Sequence, residues 1–140
     1  MYKRQLQPLV GALAAGNTAV LKPSEHAPNV SNLIKKLIEQ YFPPEVAQVF
    51  EGDGKIAADL MTRKFDHVFF TGGENIGKQV MEAASKNLTP VTLELGGKSP
   101  AVVIDGANLE VTAKRVIWGK SLNAGQTCIC LLYTSPSPRD

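Results

Sequence analysis

The sequence predicts an α/β protein: part of a doubly wound parallel sheet, followed by the beginning of a second domain. Two observations support this class. Short apolar strands alternate with helical segments, which is the pattern of βαβ units. The chain has 140 residues, of which 44% are hydrophobic and 20% charged, and this suits one soluble domain or part of a larger one.

The first half of the chain predicts three strands and three helices. The clearest helix has its apolar residues at i, i+3, i+4, i+7, i+8 and i+11: Val30, Leu33, Ile34, Leu37, Ile38 and Tyr41. Pro43 and Pro44 end it, and Pro23 stops the strand before it because proline cannot donate to a ladder. The other predicted elements are helices at 6–15 and 56–61 and strands at 18–21, 46–50 and 66–70.

The second half predicts two strands, at 91–95 and 101–104, and two helices. The helix over 75–86 has Ile76, Val80, Met81 and Ala84 as its buried stripe. The last helix is marked by Leu109, Ala113, Val116 and Ile117. Residues 131–140 contain two prolines and no periodic pattern of apolar residues, so we expect no element there that pairs with the preceding chain.

Composition excludes several classes of protein. Fifteen basic and thirteen acidic side chains give a net charge of +2, so the chain has no basic field for nucleic acid. The longest apolar runs fall short of the roughly 18 residues that a membrane span needs, and no membrane anchor is visible. The first residues have no apolar stretch typical of a signal peptide. Two cysteines one residue apart cannot staple a fold, so we expect a reducing, cytoplasmic location.

The segment from Gly72 to Lys78 follows a predicted strand, opens a helix and matches G-x-x-x-x-G-K, most of a P-loop. Gln79 stands where the Mg²⁺-binding hydroxyl belongs. Glycines would still let a phosphate approach the backbone at a helix N-terminus. A P-loop-like module that binds nucleotide phosphates is therefore the alternative function, and an ordinary strand-to-helix turn is the other interpretation.

Lys22 and Glu25 lie just beyond the end of a strand, where open α/β sheets bind ligands. A cation and a carboxylate three residues apart could both reach the hydroxyls of a ribose. On these residues alone, a solvated loop with a weak ion pair is the simpler interpretation.

Glu94 is a charged residue within an apolar strand, immediately before Gly96 and Gly97. Either it points to solvent, or it projects into a cleft that the glycines open. A partly buried carboxylate has a raised pKa and can act as a general base near neutral pH.

Cys128 follows the small, polar segment 123–127, which is poor core material but suits a loop with available backbone N–H groups. Such donors stabilise the thiolate that a nucleophilic cysteine needs. A buried, inert cysteine is the other interpretation. Cys130 has no comparable setting, and C-x-C with two distant histidines does not indicate a metal site.

Four segments together resemble the aldehyde dehydrogenase superfamily, most closely its class 3 branch. They are PLVGALAAGNTAVLKPSE at 8–25, FDHVFFTGGENIGK at 65–78, LTPVTLELGGKSP at 88–100 and WGKSLNAGQTC at 118–128. The resemblance covers about residues 6–129 and implies a Rossmann-like sheet that binds NAD or NADP. It also implies an aldehyde substrate and a homodimer of the whole protein.

The resemblance implies a role for each candidate residue. Cys128 is the expected nucleophile and Glu94 the expected general base. Lys22 and Glu25 correspond to contacts with the adenosine ribose of the cofactor. Gly72, Gly73 and Gly77 are expected beside its pyrophosphate, and Leu95 and Gly96 near its nicotinamide ring.

The resemblance also implies a division of the chain. Residues 6–95 are expected to be part of an NAD(P)-binding domain, and 96–129 the start of a catalytic domain. Residues 1–5 and 130–140 do not match the family and are expected to be non-native ends. A catalytic Asn that the family places shortly before Leu6 has no match here, so we expect the 140-residue chain alone to be inactive.

Overall fold

The computed structural model describes residues 3–132, and the side chains of 5–130. Helices and strands alternate along these residues, which confirms the predicted α/β class. The helices are α1 (Lys3–Ala14), α2 (Pro28–Tyr41), α3 (Gly54–Leu60), α4 (Glu74–Ser85) and α5 (Leu109–Ser121). The strands are β1 (Ala19–Leu21), β2 (Ala47–Val49), β3 (Val68–Thr71), β4 (Val91–Glu94), β5 (Ser99–Pro100) and β6 (Leu131–Leu132).

The chain divides into two compact units. Unit 1 comprises the residues up to Thr71 together with Asn75–Leu93, and unit 2 comprises Gly72–Glu74 together with the residues from Glu94 onward. Unit 1 therefore contains α1 to α3, β1 to β3, and all of α4 and β4 except Glu74 and Glu94. Unit 2 contains α5, β5, β6 and the segment that carries Cys128.

Unit 1 is built on the parallel pair β1 and β2. Ala19 lies opposite Ala47, and Leu21 lies opposite Val49. One buried cluster joins this pair to α1 and α2: Leu9, Leu21, Ile34, Ile38, Ala47 and Val49. Burying apolar surface drives this packing, because each such side chain contributes roughly 1.5–3 kcal/mol when it is removed from water.

Helix α2 begins with Pro28 in its first turn, where the missing N–H of proline has no cost. It ends at Tyr41, and the next amide, that of Phe42, still donates to Ile38 O at 2.9 Å. The predicted apolar face is only partly buried. Ile34 and Ile38 lie in the core, whereas Leu33 and Tyr41 are largely exposed.

Strands β3 and β4 pair with each other. Val68 N–H donates to Pro90 O, and four residues later Gly72 N–H donates to Glu94 O, both at 3.0 Å. Because the partners advance in the same direction on both strands, this pairing is parallel as well. In α4, Gly77 and Ala84 are buried. The predicted core residues Ile76 and Met81 are instead 50% and 57% exposed.

Unit 2 departs from the prediction in two places. Residues 101–104 form no strand; the pairing segment is β5, just before them. Strand β6 lies in the tail that was expected to pair with nothing, and it pairs in parallel with β5, Ser99 opposite Leu131 and Pro100 opposite Leu132. Short apolar runs indicate that a strand is possible, but only a partner strand decides which residues form the ladder.

Helix α5 begins after Asn108, whose side-chain oxygen accepts a hydrogen bond from Val111 N–H at 3.1 Å. This is an N-cap, and it satisfies one of the unpaired amides of the first turn. Leu109 and Ile117 from the predicted stripe are exposed. Within the described residues, no helix is both long enough and apolar enough to cross a membrane.

Candidate active site

Lys22 and Glu25 follow β1 at its carboxyl end and form an ion pair. Lys22 Nζ donates to Glu25 Oε2 at 2.8 Å. This hydrogen bond is the main reason that the pKa of Glu25 lies below its usual value, with a further contribution from the Glu25 backbone. The pair therefore presents an ammonium donor and an ionised carboxylate acceptor at one edge of the β1–β2 sheet.

Glu51 follows β2 at the same edge and was not predicted from the sequence to belong to the site. The buried Ser31 hydroxyl donates to Glu51 Oε1 at 2.8 Å, and Lys35 Nζ lies 3.9 Å from Glu51 Oε2. Because β1 and β2 run parallel and in register, their carboxyl ends meet at this edge. The only signal in the sequence was a charged residue directly after a strand and before Gly52.

The P-loop hypothesis is not supported. Strand β3 ends at Thr71 and α4 begins at Glu74, so only Gly72 and Gly73 lie between them. A P-loop needs a longer loop there, with its second glycine and lysine at the start of the helix. Here Gly77 is buried within the first turns of α4, so the segment matches the motif in sequence but not in structure.

Glu94 is the last residue of β4 and is exposed, so its carboxylate is not buried among neighbouring side chains. Its carbonyl oxygen accepts the hydrogen bond from Gly72 N–H. Leu95 is half-buried and Gly96 is exposed. A Cβ placed on Gly96 would meet no atom within 4 Å, so the space beside this backbone is open.

The segment between α5 and Cys128 has an unusual backbone. Asn123, Ala124 and Gly125 all have positive φ, at 51°, 55° and 76°. Asparagine and glycine adopt this left-handed region readily, but alanine does so at a cost of about 1–2 kcal/mol. The chain turns sharply here, and Cys128 lies three residues later, half-buried.

Cys130 is buried, and its sequence setting did not predict this. Its thiol donates to Leu122 O at 3.1 Å, and its amide donates to Thr127 O at 2.8 Å. Cys128 and Cys130 do not form a disulfide. Cys130 therefore ties the chain after Cys128 back to the end of α5.

Gly97 is a second residue that was not predicted from the sequence to belong to the site. A Cβ built on it would overlap the carbonyl oxygen of Cys128 and lie 3.1 Å from the carbonyl carbon. The backbone that follows Glu94 thus packs directly against the backbone of Cys128. Only glycine fits there without displacing main-chain atoms.

An open cavity of about 560 Å³ lies along α5 and continues to the residue after Cys128. Its lining is mostly apolar and includes one cation: Arg115, Trp118, Gly119, Leu122 and Ile129. Trp118 and Ile129 are 70% and 66% exposed, so they offer apolar surface for contact.

Comparison with known proteins decides the family. Residues 5–133 match the family described as "Aldehyde dehydrogenase family". The chain belongs to the aldehyde dehydrogenase family. The match includes all nine candidate residues, and it extends to the residues of β6 that were expected to lie outside the family.

Individual aldehyde dehydrogenases resemble the chain closely. It is 54% identical over 132 residues to the 4,4'-diaponeurosporen-aldehyde dehydrogenase of Staphylococcus aureus (strain NCTC 8325 / PS 47), covering 94% of this chain and 29% of the relative. It is 48% identical over 128 residues to "Aldehyde dehydrogenase family 3 member A2" of Macaca fascicularis, covering 91% and 26%. The class 3 resemblance is confirmed.

A solved structure agrees with the described fold. The substrate-bound state of Staphylococcus aureus AldH superposes with a TM-score of 0.84 at 52% identity, covering 89% of this chain and 28% of that one. The chain thus spans less than a third of the length of the relatives it matches. Members of the aldehyde dehydrogenase family use NAD or NADP.

Proposed function

We propose that the whole protein oxidises an aldehyde to a carboxylic acid with NAD⁺ or NADP⁺, using Cys128 as nucleophile and Glu94 as general base. One observation carries the proposal beyond family membership. Within unit 2, the backbone just after Glu94 packs against Cys128 through Gly97. A nucleophile and a base that act on one carbon need such a shared frame.

The residues at the carboxyl end of β1 fit the ribose of a dinucleotide. The Glu25 carboxylate can accept hydrogen bonds from the diol, and the Lys22 ammonium can donate to its oxygens. Gly72, Gly73 and the buried Gly77 leave the start of α4 without bulky side chains, which suits a pyrophosphate near a helix N-terminus. Leu95 and the open backbone of Gly96 are the proposed neighbours of the nicotinamide ring.

The proposed chemistry begins at the Cys128 sulfur. The thiolate attacks the carbonyl carbon, so that a C–S bond forms and the oxygen takes up the negative charge. Bound NAD(P)⁺ would accept the hydride that converts this adduct into a thioester.

The proposed role of Glu94 is to activate water for hydrolysis of the thioester. Its carboxylate takes a proton from water, the resulting hydroxide attacks the thioester carbon, and the C–S bond breaks to release the acid and regenerate the Cys128 thiolate. The exposure of Glu94 supports this role, because the carboxylate must reach a water molecule.

The cavity along α5, which reaches Ile129, supports an aldehyde with an apolar body. Trp118, Leu122 and Ile129 offer surface for such a group, and the gain is roughly 25 cal/mol for each Å² of apolar surface removed from water. Arg115 is the one charged residue in the lining. We further propose a cytoplasmic location, since a reducing compartment keeps Cys128 as a thiol, and the homodimer remains a prediction.

The test is a Glu94→Gln substitution in a full-length frame. We define the hybrid enzyme as the Staphylococcus aureus relative whose matched segment is replaced by residues 5–133 of this chain. Glutamine keeps the shape but removes the base, so thioester hydrolysis should slow by about 10²–10³-fold while acylation continues. Rapid mixing should then show a burst of NADH followed by a slow steady state.

The matched control is Glu110→Gln in the same unit. Glu110 is an exposed carboxylate on α5, paired with Lys114 at 2.6 Å, and it has no role in the proposed chemistry. It should leave the burst and the steady state unchanged. Unchanged turnover in Glu94→Gln would show that Glu94 is only a strand residue.

A further inference from the structure

Gly96 and Gly97 are adjacent but have different surroundings. A Cβ on Gly96 would meet nothing within 4 Å, whereas a Cβ on Gly97 would overlap the Cys128 carbonyl oxygen and lie 3.7 Å from its Cα. The atoms involved at Cys128 are all main-chain atoms, so no side-chain rotation can relieve the overlap. The need for glycine at 97 is therefore set by the position of the Cys128 backbone.

The two segments that meet at this contact are also joined further along the chain, by the β5–β6 pair. Ser99 and Pro100, which follow Gly97, pair with Leu131 and Leu132, which follow Cys128. Between these points, Cys130 is bonded to Thr127 and Leu122. The chain around Cys128 thus has its backbone held at three places, and one of them is Gly97.

We propose that Gly97 is a positioning residue for Cys128. Its missing side chain lets the backbone after Glu94 lie against the Cys128 carbonyl, and this contact sets where the Cys128 sulfur points. The inference rests on the proposed function, because it assigns Gly97 an effect on the nucleophile of that reaction. Gly97 touches no reacting atom and acts only through the Cys128 main chain.

The size of the expected effect follows from geometry. A Cβ at position 97 must push the Cys128 carbonyl away, and a misplacement on the order of 1 Å at a reacting group can cost about 10²-fold in rate. The three atoms nearest to the added Cβ all belong to Cys128, and the contacts at Lys22 and Glu25 lie in unit 1, so cofactor affinity should change little.

The experiment compares Gly97→Ala with wild type in the hybrid enzyme. We expect the NADH burst rate constant to fall by at least about tenfold, with the KM for NAD(P)⁺ unchanged within about twofold. The rate at which iodoacetamide alkylates Cys128, located by mass spectrometry, should fall with it. A purely structural role would instead lower the amount of folded enzyme and leave both rates normal for the folded fraction.

Gly54→Ala is the matched control. A Cβ on Gly54 would meet nothing within 4 Å, and this residue opens α3, remote in sequence from the proposed machinery. It should leave the burst and alkylation rates unchanged. Folded Gly97→Ala enzyme with wild-type burst and alkylation rates would overturn the proposal.

A second measurement decides the matter if Gly97→Ala does not fold. In the wild-type hybrid, hydrogen exchange should show that the amides of 97–99 and of 127–132 open together, because one contact region holds both. Exchange of 127–132 that is faster than that of 97–99 by about 10²-fold would overturn the proposal.

The two proposals fail in different ways. If Cys128 is not the nucleophile, Cys128→Ala will keep its turnover, and Gly97→Ala can still slow alkylation. If only the role of Gly97 is wrong, Cys128→Ala will be inactive and Gly97→Ala will react normally.

Discussion

The two units differ in what holds them together. Unit 1 buries six apolar residues in one cluster between β1, β2 and two helices. In unit 2, among the residues whose burial is described, only Cys130 is buried, and α5 leaves Leu109, Ile117 and Trp118 largely exposed. Unit 2 is held instead by backbone contacts: the β5–β6 ladder, the hydrogen bonds of Cys130 and the approach of Gly97 to Cys128.

The difference separates stability from chemistry. Side-chain burial supplies most of the free energy of folding, so unit 1 should govern the stability of the described chain. The proposed nucleophile and base both lie in unit 2, where main-chain geometry is specified without a large core. Substitutions in the apolar cluster of unit 1 should therefore act mainly on stability, and substitutions at Glu94 and Cys128 in unit 2 mainly on activity.

The largest expected effect is that of Cys128→Ala in the hybrid enzyme. It removes the proposed nucleophile, so turnover should fall by at least about 10⁴-fold and no covalent acyl intermediate should form. The melting temperature should change little, because Cys128 is only half-buried. Activity assays together with intact-protein mass spectrometry check both points.

Cys130→Ala is the control for that substitution. The Cys130 thiol is not a proposed nucleophile, and alanine keeps the main-chain bond from position 130 to Thr127 O, so turnover should stay within about threefold of wild type. It is buried and bonded to Leu122 O, however, and its loss should lower the free energy of unfolding by roughly 1 kcal/mol. An inactive but folded Cys130→Ala enzyme would contradict the assignment of the nucleophile.

Ile34→Ala tests the core of unit 1. Ile34 is 4% exposed within the apolar cluster, so its truncation should cost about 2–5 kcal/mol. Hydrogen exchange of the β1 and β2 amides in the hybrid enzyme measures the loss. Leu33→Ala, on the same helix at 56% exposure, should cost less than about 1 kcal/mol. Equal losses would mean that the cluster does not hold unit 1.

The smallest effect should come from Glu25→Gln. The pKa of Glu25 is lowered in the folded protein by its hydrogen bond with Lys22, so the ion pair stabilises the fold above the ordinary carboxyl pKa. This contribution is lost as the pH falls through the lowered pKa. Because the Glu25 side chain is 39% exposed, solvent screening limits the contribution of the ion pair to roughly a few tenths of a kcal/mol.

Thermal melts between pH 3 and pH 7 would detect the loss in wild type and its absence in Glu25→Gln. The same variant should raise the KM for the cofactor, since the proposed ribose acceptor is gone. A melting temperature with the same pH dependence in both proteins would show that the pair adds no stability.

Local patterns in the sequence predicted the order and type of the elements from α1 to β4. The period of the apolar residues predicted α2, and Pro43 with Pro44 predicted its end, because helix geometry and proline chemistry act within a few residues. The family followed from four short motifs, which also supplied the roles proposed for Cys128 and Glu94.

Tertiary structure alone decided what depends on a distant partner. The P-loop match was wrong because the strand and helix ends leave two residues between them, and 101–104 is not a strand because β6 pairs with β5 instead. Gly97 and Cys130 gained their contacts from residues 31 and 8 positions away. The spacing of apolar residues along the chain does not predict such contacts, since they arise only when the folded backbone brings separate segments within van der Waals distance.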